Sequence, residues 1–573
     1  MVSPQSTSAE PEEGFRLGRL TLRPAVALRL ALLLTGLTYL RTITFDFVFD
    51  DFAEIVLNPR LQSWSNVPGY FLQQAWSVVD PAWHGSYYRP VIWVWLTLGY
   101  HLFDSIPGWW HLAGIAMHLL ATVLVYCLGR RLLRDPLAAA LAALLFGVNP
   151  IHVEDVAWVA STGDMLFALF FLSSFLCYLK WRQEEPHRRW WFWLSLLLFA
   201  LGLLTKETAA AVAGLIFCYE WLLAPGSSSG RKRLAASLAW SLPYFVLVLA
   251  YLGARWAVLQ GFAHPTHPAS AREVVLTTPL VLWFYLKKLV WPFGLSPLYD
   301  LELVKQATWA NVGVPVLGLA LAAAVIALVA RKSPSRQFLL LWIGGALLPA
   351  LAGLAVFQPH DYAHDRQLYI PSAAFAMLLA LAIRRLPLPR SAEGAPWGQL
   401  AVALLLAVTL GVATFRYSAC WENELVLWQR AVERAPHNLL AKEYLAAELF
   451  ARHDYPASLS LYQQLLAADP GSARIQLNMA LSYAYLGKLE DAEPYFSRAI
   501  ALQEAQGVPP PASAFYHLGL LRLQQGNLAE AEADFRRALE LRPFITGYRF
   551  ALAGVLQREG REKEAQQVLA APH

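Results

Sequence analysis

The sequence predicts an all-α protein in which a bundle of membrane-spanning helices precedes a soluble domain of helical repeats. Of 573 residues, 57% are hydrophobic and only 15% are charged, whereas a soluble domain carries roughly 25% charged residues. Charged residues are much more frequent after residue 420 than before it, and most of the 22 tryptophans lie before it. The segment after residue 420 also repeats with a period of 34 residues, which is typical of a helical array.

The composition also excludes several classes of protein. A chain this rich in apolar residues is not disordered or collagen-like. The four cysteines show no CxxC spacing, so neither a zinc site nor a disulfide framework is indicated. The net charge of +5 is too small to indicate a nucleic-acid partner.

Residues 1–24 contain three glutamates and no apolar core, so they are predicted to be a tail and not a cleavable signal peptide. The basic residues of the connecting loops predict that this tail is cytoplasmic. A membrane domain is expected at 25–420. Its apolar segments approach the length needed to cross a bilayer, and shorter candidates are tolerated within a bundle. Together they predict about eleven crossings, at 25–44, 109–129, 137–149, 157–179, 190–204, 208–224, 235–258, 311–330, 337–357, 367–383 and 398–416. Two further segments, 89–104 and 276–292, are expected not to cross independently.

The distribution of basic residues predicts the orientation. Alternate connections are rich in arginine and lysine, namely those at 130–134, 180–189, 231–233, 331–336 and 384–390. Since positive residues are enriched on the cytoplasmic side, the N-terminus is expected in the cytoplasm of a cytoplasmic (inner) membrane. The repeat domain is then expected on the periplasmic or extracytoplasmic side.

With this orientation, the unusual polar residues fall on the outer face. They are Asp50 and Asp51 in the first loop, His152, Glu154 and Asp155 after the third span, Asp164, Lys206, Glu207, Tyr299, Asp300, His360, Asp361, His364, Asp365, Arg366 and Tyr369. Ionisable groups at membrane depth are costly, and they are usually paired or functional. Each also has an ordinary interpretation: a solvated loop, a polar cap, a local Lys206–Glu207 ion pair or an arginine that anchors a loop to headgroups. Their shared side predicts a cleft at the outer leaflet.

The C-terminal domain, predicted at 421–573, consists of repeats. Pro436 and Pro470 are 34 residues apart, as are Gly526 and Gly560, whereas Gly487 and Gly526 are 39 apart because of a proline-rich insertion. The turn glycine, small residue, aromatic residue and closing proline match the tetratricopeptide helix-turn-helix unit. Such arrays bind peptides or proteins on a concave face, although a purely structural cap on the membrane domain remains an alternative.

These features together resemble a known family. The matching stretches include FVFDDFAEIVLNPRLQSW (47–64), YYRPVIWVWLTLGYHLF (87–103), LLFGVNPIHVEDVAWVASTGDMLFALFFL (144–172), LLTKETAAAVAGLIF (203–217) and DRQLYIPSAAF (365–375). With the repeat domain, they resemble the transmembrane and tetratricopeptide-repeat-containing O-mannosyltransferases of the GT-C superfamily and their bacterial relatives.

The resemblance implies a site and a reaction. It implies a catalytic acidic pair at Asp50 and Asp51, donor or phosphate contacts from Arg366, Lys206, His152 and Tyr369, and further site residues at Glu154, Asp164, Glu207 and Arg89. Asn149 and Asp365 depart from the family pattern, where histidine and glutamate are common. The implied donor is a polyprenyl-phosphate sugar, and the implied acceptor is a protein or peptide held by the repeats.

The chemistry expected of these residues is an inverting sugar transfer. Asp50 would be the general base for an acceptor hydroxyl, with Asp51 positioning it. Arg366 and Lys206 would stabilise the leaving phosphate, and His152 would donate to phosphate or sugar. The scheme requires no metal, although a divalent ion is compatible with it. Two alternatives stay open: a transferase that acts on lipid or polysaccharide, and a non-catalytic scaffold for envelope assembly.

Overall fold

The computed structural model describes residues 15–17, 20–22, 24–79, 85–184, 188–224, 230–264, 268–331, 333–389 and 396–570. Most of the predicted tail, 1–24, lies outside these ranges. The chain forms two compact units, 1–430 and 431–573, and the predicted boundary after residue 420 falls ten residues earlier. The described chain is helical apart from one antiparallel pair of strands, β1 (Phe15–Leu17) and β2 (Leu20–Leu22), which the all-α prediction did not include.

The first unit is a helix bundle. Its α-helices are α1 (Pro24–Tyr39), α2 (Val67–Tyr70), α3 (Pro90–Phe103), α4 (Pro107–Leu133), α5 (Pro136–Gly147), α6 (Val153–Ala157), α7 (Thr162–Gln183), α8 (Arg189–Thr205), α9 (Ala211–Leu222), α10 (Gly230–Leu259), α11 (Ala271–Val290), α12 (Val314–Ala330), α13 (Pro334–Gly353), α14 (Tyr369–Arg384), α15 (Trp397–Ser418) and α16 (Glu424–Arg434), which continues into the second unit. Helices α3, α4, α5 and α13 begin at proline, which suits the first helical position.

The structure corrects the predicted number of crossings. Within the described residues, eight helices are long and apolar enough to cross a membrane. A ninth is possible if α5 and the bent segment Pro150–Ala157 form one span. Two predicted crossings fall on helices of 17 and 12 residues, α8 and α9, which are shorter than the roughly 20 residues that a spanning helix needs. The segment at 89–104 forms the 14-residue α3, and 276–292 falls within α11, which is not among the eight.

Close packing in this bundle depends on small residues. Gly147, at the end of α5, faces Thr35 of α1 so closely that a Cβ at residue 147 would clash with the threonine hydroxyl. Alanines line the α4–α5 contact, where Ala139, Ala140 and Ala143 pack with Tyr126. Small side chains let membrane helices approach each other closely, so α5 can lie in the centre of the bundle and present residues 149–155 at its end.

The second unit contains the predicted repeats. It consists of α17 (Leu439–Ala451), α18 (Tyr455–Ala468), α19 (Ala473–Tyr485), α20 (Leu489–Ala505), α21 (Ala512–Gln524), α22 (Leu528–Leu541), α23 (Thr546–Arg558) and α24 (Glu562–Ala570). The turn glycines Gly487, Gly526 and Gly560 all have positive φ, between 77° and 82°. Ala531 and Phe535 are fully buried between neighbouring helices, so the sequence period corresponds to one helical hairpin.

Candidate active site

The first loop of the bundle turns sharply just before the acidic pair. Phe49 has a φ of 54°, a left-handed conformation that is strained for a bulky residue. Its backbone N–H donates to Glu424 Oε1 at 2.6 Å, and its ring packs against Trp158 and Trp428 at centroid distances of 5.6 and 5.1 Å. These contacts hold the strained turn and thereby fix the position of Asp50.

Asp51 is a fully buried member of the pair. Its Oδ2 accepts from the Val48 N–H at 3.0 Å and its Oδ1 accepts from the Ala160 N–H at 2.6 Å. Burial raises the pKa of Asp51 to about 8, against the opposing effect of these backbone donors. Both oxygens are therefore used to join the first loop to the segment before α7, a positioning role.

Asp50 remains partly exposed beside Asp51. Burial raises the pKa of Asp50 to about 7, with Arg366 and His364 opposing the increase and Asp361 and Glu424 adding to it. The acid therefore lies within electrostatic range of the predicted arginine, more than 300 residues away in the chain. A carboxylate with a pKa near neutrality can exchange a proton at physiological pH.

Arg366 lies on a surface built by the segment 154–158. Its guanidinium contacts Glu154, its backbone N–H donates to Glu154 Oε2 at 3.2 Å, and its Cζ lies 5.2 Å from the centre of the Trp158 ring. Glu154 is buried, whereas 21% of the Arg366 side chain is exposed. Because Phe49 packs on the same tryptophan, Trp158 links the acidic loop to the arginine.

Asp164 contacts two of the residues that are predicted to bind phosphate, Lys206 and Arg366. Its Oδ2 accepts from Lys206 Nζ at 2.8 Å and lies 3.7 Å from Arg366 Nε. Lys206 is buried, and a buried lysine retains its charge only when it is paired. Lys206 and its neighbour Glu207 thus pair with different partners and not with each other.

Glu207 and Arg89 form a separate bidentate pair, with Nε to Oε2 at 3.2 Å and Nη2 to Oε1 at 2.8 Å. Burial raises the pKa of Glu207, but Arg89 outweighs this effect and lowers it to about 2. Glu54 lies within electrostatic range of Arg89, Asp164 and the acidic pair, so it connects this pair to the rest of the site.

His364, which the sequence places on the outer face without a predicted role, is a charged member of the site. Its Nε2 lies 2.9 Å from Asp361 Oδ1 and its Nδ1 lies 3.5 Å from Glu154 Oε1. Burial and Arg366 lower the pKa of His364, but Asp361 and Glu154 outweigh them and raise it to about 9. The imidazole is therefore cationic at neutral pH, close to both Asp50 and Arg366.

His152 and Tyr369 lie in a buried aromatic cluster. His152 Nε2 is 2.8 Å from Ser372 Oγ, and the Tyr369 hydroxyl is 2.8 Å from His118 Nδ1. The two rings pack together at a centroid distance of 4.6 Å, and His152 has no exposed surface. This placement suits a role in supporting the segment that carries Glu154 more than direct contact with a ligand.

Asp365, a departure from the family pattern, is also buried. It accepts hydrogen bonds from the hydroxyls of Tyr299, at 2.5 Å, and Tyr417, at 3.2 Å. The tyrosines satisfy both oxygens, so the shorter acid fits a structural position next to Arg366.

Among the residues that the structure describes, no group of three or more His, Cys, Asp or Glu side chains is arranged to hold a metal ion. Sequence reasoning missed Glu54 and Trp158, and it gave His364 no role in the site. His364 and Asp361 stand in the polar stretch HDYAHDR, which gives a weak signal. Trp158 and Glu54 have no such signal in the sequence, because their roles depend on contacts between distant segments.

The fold and site define a multispan protein with a charged site at one end of its bundle and a tetratricopeptide array as its second unit. Comparison with known proteins agrees with this class. The family described as "Dolichyl-phosphate-mannose-protein mannosyltransferase" matches residues 89–256, and a tetratricopeptide repeat family matches residues 471–543. The match and the apolar helices indicate a membrane protein.

Two curated relatives are similar over most of the chain. Protein O-mannosyl-transferase TMTC3 of Mus musculus is 24% identical over 88% of this chain and 59% of its own length. Protein O-mannosyl-transferase TMTC4 of Homo sapiens is 26% identical over 73% of this chain and 63% of its own length. The resemblance to the transmembrane and tetratricopeptide-repeat-containing O-mannosyltransferases is confirmed, although the chain spans only about three fifths of the relatives' length.

The chain also aligns in part with a solved structure. The oligosaccharyltransferase of Archaeoglobus fulgidus, tethered to an acceptor peptide, aligns with 76% of this chain and 58% of its own, with a TM-score of 0.39 and 14% identity.

Proposed function

We propose that this protein is a GT-C glycosyltransferase that moves a sugar, mannose in the first instance, from a polyprenyl-phosphate carrier to a hydroxyl group of an acceptor protein. The proposal rests on one observation above all: Asp50 lies within electrostatic range of Arg366 and His364. The site thus combines a base with cations suited to a phosphate leaving group. The similarity to the dolichyl-phosphate-mannose-protein mannosyltransferase family and to protein O-mannosyl-transferases supports the choice of donor and sugar.

Asp50 acts as the general base. A hydroxyl group is a poor nucleophile, and removal of its proton during attack on the sugar carbon accelerates the reaction. The attacking oxygen forms the new glycosidic bond as the bond to the phosphate oxygen breaks, and the hydroxyl proton moves to Asp50. Its pKa of about 7 leaves much of the carboxyl ionised at neutral pH.

Arg366, His364 and Lys206 stabilise the polyprenyl phosphate that leaves. Arginine holds phosphate through a planar fork, and part of the Arg366 side chain is exposed while Glu154 fixes it from the buried side. Lys206 acts on the phosphate indirectly. It pairs with Asp164, and Asp164 also contacts Arg366. Glu154, Asp164, His152 and Tyr369 are positioning residues in this scheme.

The reaction takes place at the non-cytoplasmic face, by the distribution of basic residues in the connecting loops. The repeat unit recruits the acceptor protein, since arrays of this kind bind extended peptides. A lipid or polysaccharide acceptor would need no such array.

The replacement Asp50→Asn tests the proposal. It removes the base with little change in shape, so transfer from polyprenyl-phosphate mannose should fall by roughly a hundredfold or more. Asp46→Asn is the matched control, because Asp46 is an exposed acid in the same loop and should retain activity. Unchanged transfer in Asp50→Asn, with normal expression, would favour the scaffold alternative.

A further inference from the structure

A pocket with a volume of about 140 Å³ lies apart from the charged network around Arg366. Its wall includes Arg416, Arg430, Tyr417 and Phe293, together with Pro150, Ala413 and the neighbours of Phe293 in the segment 292–295. No acidic side chain is among the lining residues that the structure describes. The pocket is therefore positively charged and bounded in part by aromatic rings.

Arg416 stands at the end of a lipid-facing row on α15. Residues four apart share one face of a helix, and Leu404, Val408 and Val412 precede Arg416 at this spacing. These three apolar side chains are 55%, 53% and 47% exposed on a helix that is apolar and long enough to cross a membrane. The row leads from the apolar core of the bilayer to the arginine, so the pocket opens at headgroup depth.

Arg416 has no acidic partner among the residues that the structure describes, and its side chain is exposed. Cationic side chains near the ends of membrane helices extend toward the interface, where anionic headgroups attract them. A guanidinium that lines a pocket on the lipid side is well suited to bind a phosphate group through two hydrogen bonds.

We propose that this pocket binds the phosphate group of a membrane lipid, whose hydrocarbon chain lies along the Leu404–Val408–Val412 row. Arg416 is the principal ligand of the phosphate, and Tyr417 and Phe293 pack around it. The site differs in its residues from the site around Asp50. Tyr417 also donates to Asp365, the neighbour of Arg366, so the bound lipid supports the wall between the two sites. The inference does not depend on catalytic activity.

Lipid binding to the full chain in nanodiscs tests this proposal. Native mass spectrometry of the chain released from phosphatidylcholine discs would compare retention of added phosphatidylglycerol, added polyprenyl phosphate and inorganic phosphate. Arg416→Gln should weaken retention of the anionic lipid about fivefold or more, the loss expected for a charge-assisted hydrogen bond. Arg416→Lys should retain part of the binding, because the charge remains.

Arg331→Gln is the matched control, since Arg331 is exposed at the end of α12, another apolar helix, and is not among the pocket residues. It should leave retention unchanged. Preferential retention of phosphatidylglycerol or of polyprenyl phosphate would identify which lipid supplies the phosphate group. Either result would support the proposed lipid site at Arg416. Equal loss in the Arg331 and Arg416 variants, or equal binding of inorganic phosphate alone, would overturn the proposal.

Discussion

Asp50 and Asp51 are neighbours in the chain, but their carboxylates have different surroundings. Asp51 uses both oxygens to accept backbone hydrogen bonds, while Asp50 faces a set of charged groups on two later segments. The left-handed turn at Phe49 precedes both residues and sets the path of the chain into the pair. A single acidic motif thus supplies one structural anchor and one group available for chemistry.

The pKa values of Asp50 and His364 predict a bell-shaped dependence of transfer on pH. The base works only when ionised, so activity should increase as pH rises through about 7, the value for Asp50. The His364 cation should be lost as pH rises through about 9, and with it part of the phosphate stabilisation. Initial rates of mannose transfer between pH 5 and 10 would measure both limbs.

Replacement of the histidine separates the two limbs. His364→Gln should remove the decline on the alkaline side and lower the maximal rate, while the acidic limb persists because Asp50 remains. His360→Gln is the control, since His360 lies in the same loop but contacts Glu302 at 3.2 Å. An unaltered alkaline limb in His364→Gln would show that another group causes it.

The sequence predicts the residues of this site better than their pairings. Asp50, Arg366 and Lys206 are recognisable because charges beside apolar spans are rare. The partners of these residues cannot be recognised from the sequence, because each pair joins distant segments. Lys206 contacts Asp164 and not Glu207, and Arg366 lies over Trp158. An aromatic ring between two loops leaves no pattern in a single sequence.

At the scale of the helix, the turns of the repeat unit explain why one repeat is difficult to recognise. His453 precedes Gly487 by 34 residues and occupies the same left-handed turn, with a φ of 65°. Its Nδ1 lies 2.7 Å from the Tyr455 hydroxyl, which compensates part of the strain. The fold of the repeat is retained without glycine because packing of α17 against α18 fixes the turn.

His453→Gly should stabilise this repeat. A left-handed conformation costs an L-residue roughly 1–2 kcal/mol, and the greater freedom of glycine in the unfolded chain offsets part of the gain. A net increase of about 0.5 kcal/mol should appear as slower amide hydrogen exchange in 439–468. Gly487→Ala is the converse control and should accelerate exchange in the next repeat, because alanine is strained at a φ of 77°.

Among the structural elements, the membrane-spanning helices are those that the sequence predicts least accurately. Long spans such as α4 and α7 are evident from hydropathy, whereas α8 and α9 are separated by the short turn at Glu207–Ala210 and are each too short to span alone. An apolar run shows that a segment avoids water, but a buried helix in the bundle has the same composition as a lipid-facing one. The packing of neighbouring helices decides whether an apolar segment is a buried helix or a lipid-facing one.

At the scale of the whole molecule, a short stretch of chain supports the acidic loop before the repeats begin. Glu424 accepts from the Phe49 N–H, Trp428 packs on its ring, and Trp421 stacks on Trp158 at 5.7 Å. All five residues belong to the first unit, 1–430. The loop that carries Asp50 and Asp51 therefore depends on residues after the last span, and a truncation can retain or remove this support according to where it ends.

Two truncations separate acceptor recruitment from catalysis. Deletion of 436–573 removes the repeats but keeps Glu424 and Trp428, so transfer to protein should fall at least tenfold while hydrolysis of polyprenyl-phosphate mannose by water persists. Deletion of 422–573 also removes the support of Phe49, and both reactions should then be lost. Product assays on detergent-purified chains, with thermal unfolding as a check of folding, would measure the difference. Equal loss of both reactions in the shorter deletion would mean that the repeats stabilise the first unit and do not recruit the acceptor, because the groups that hold Asp50 are intact in that variant.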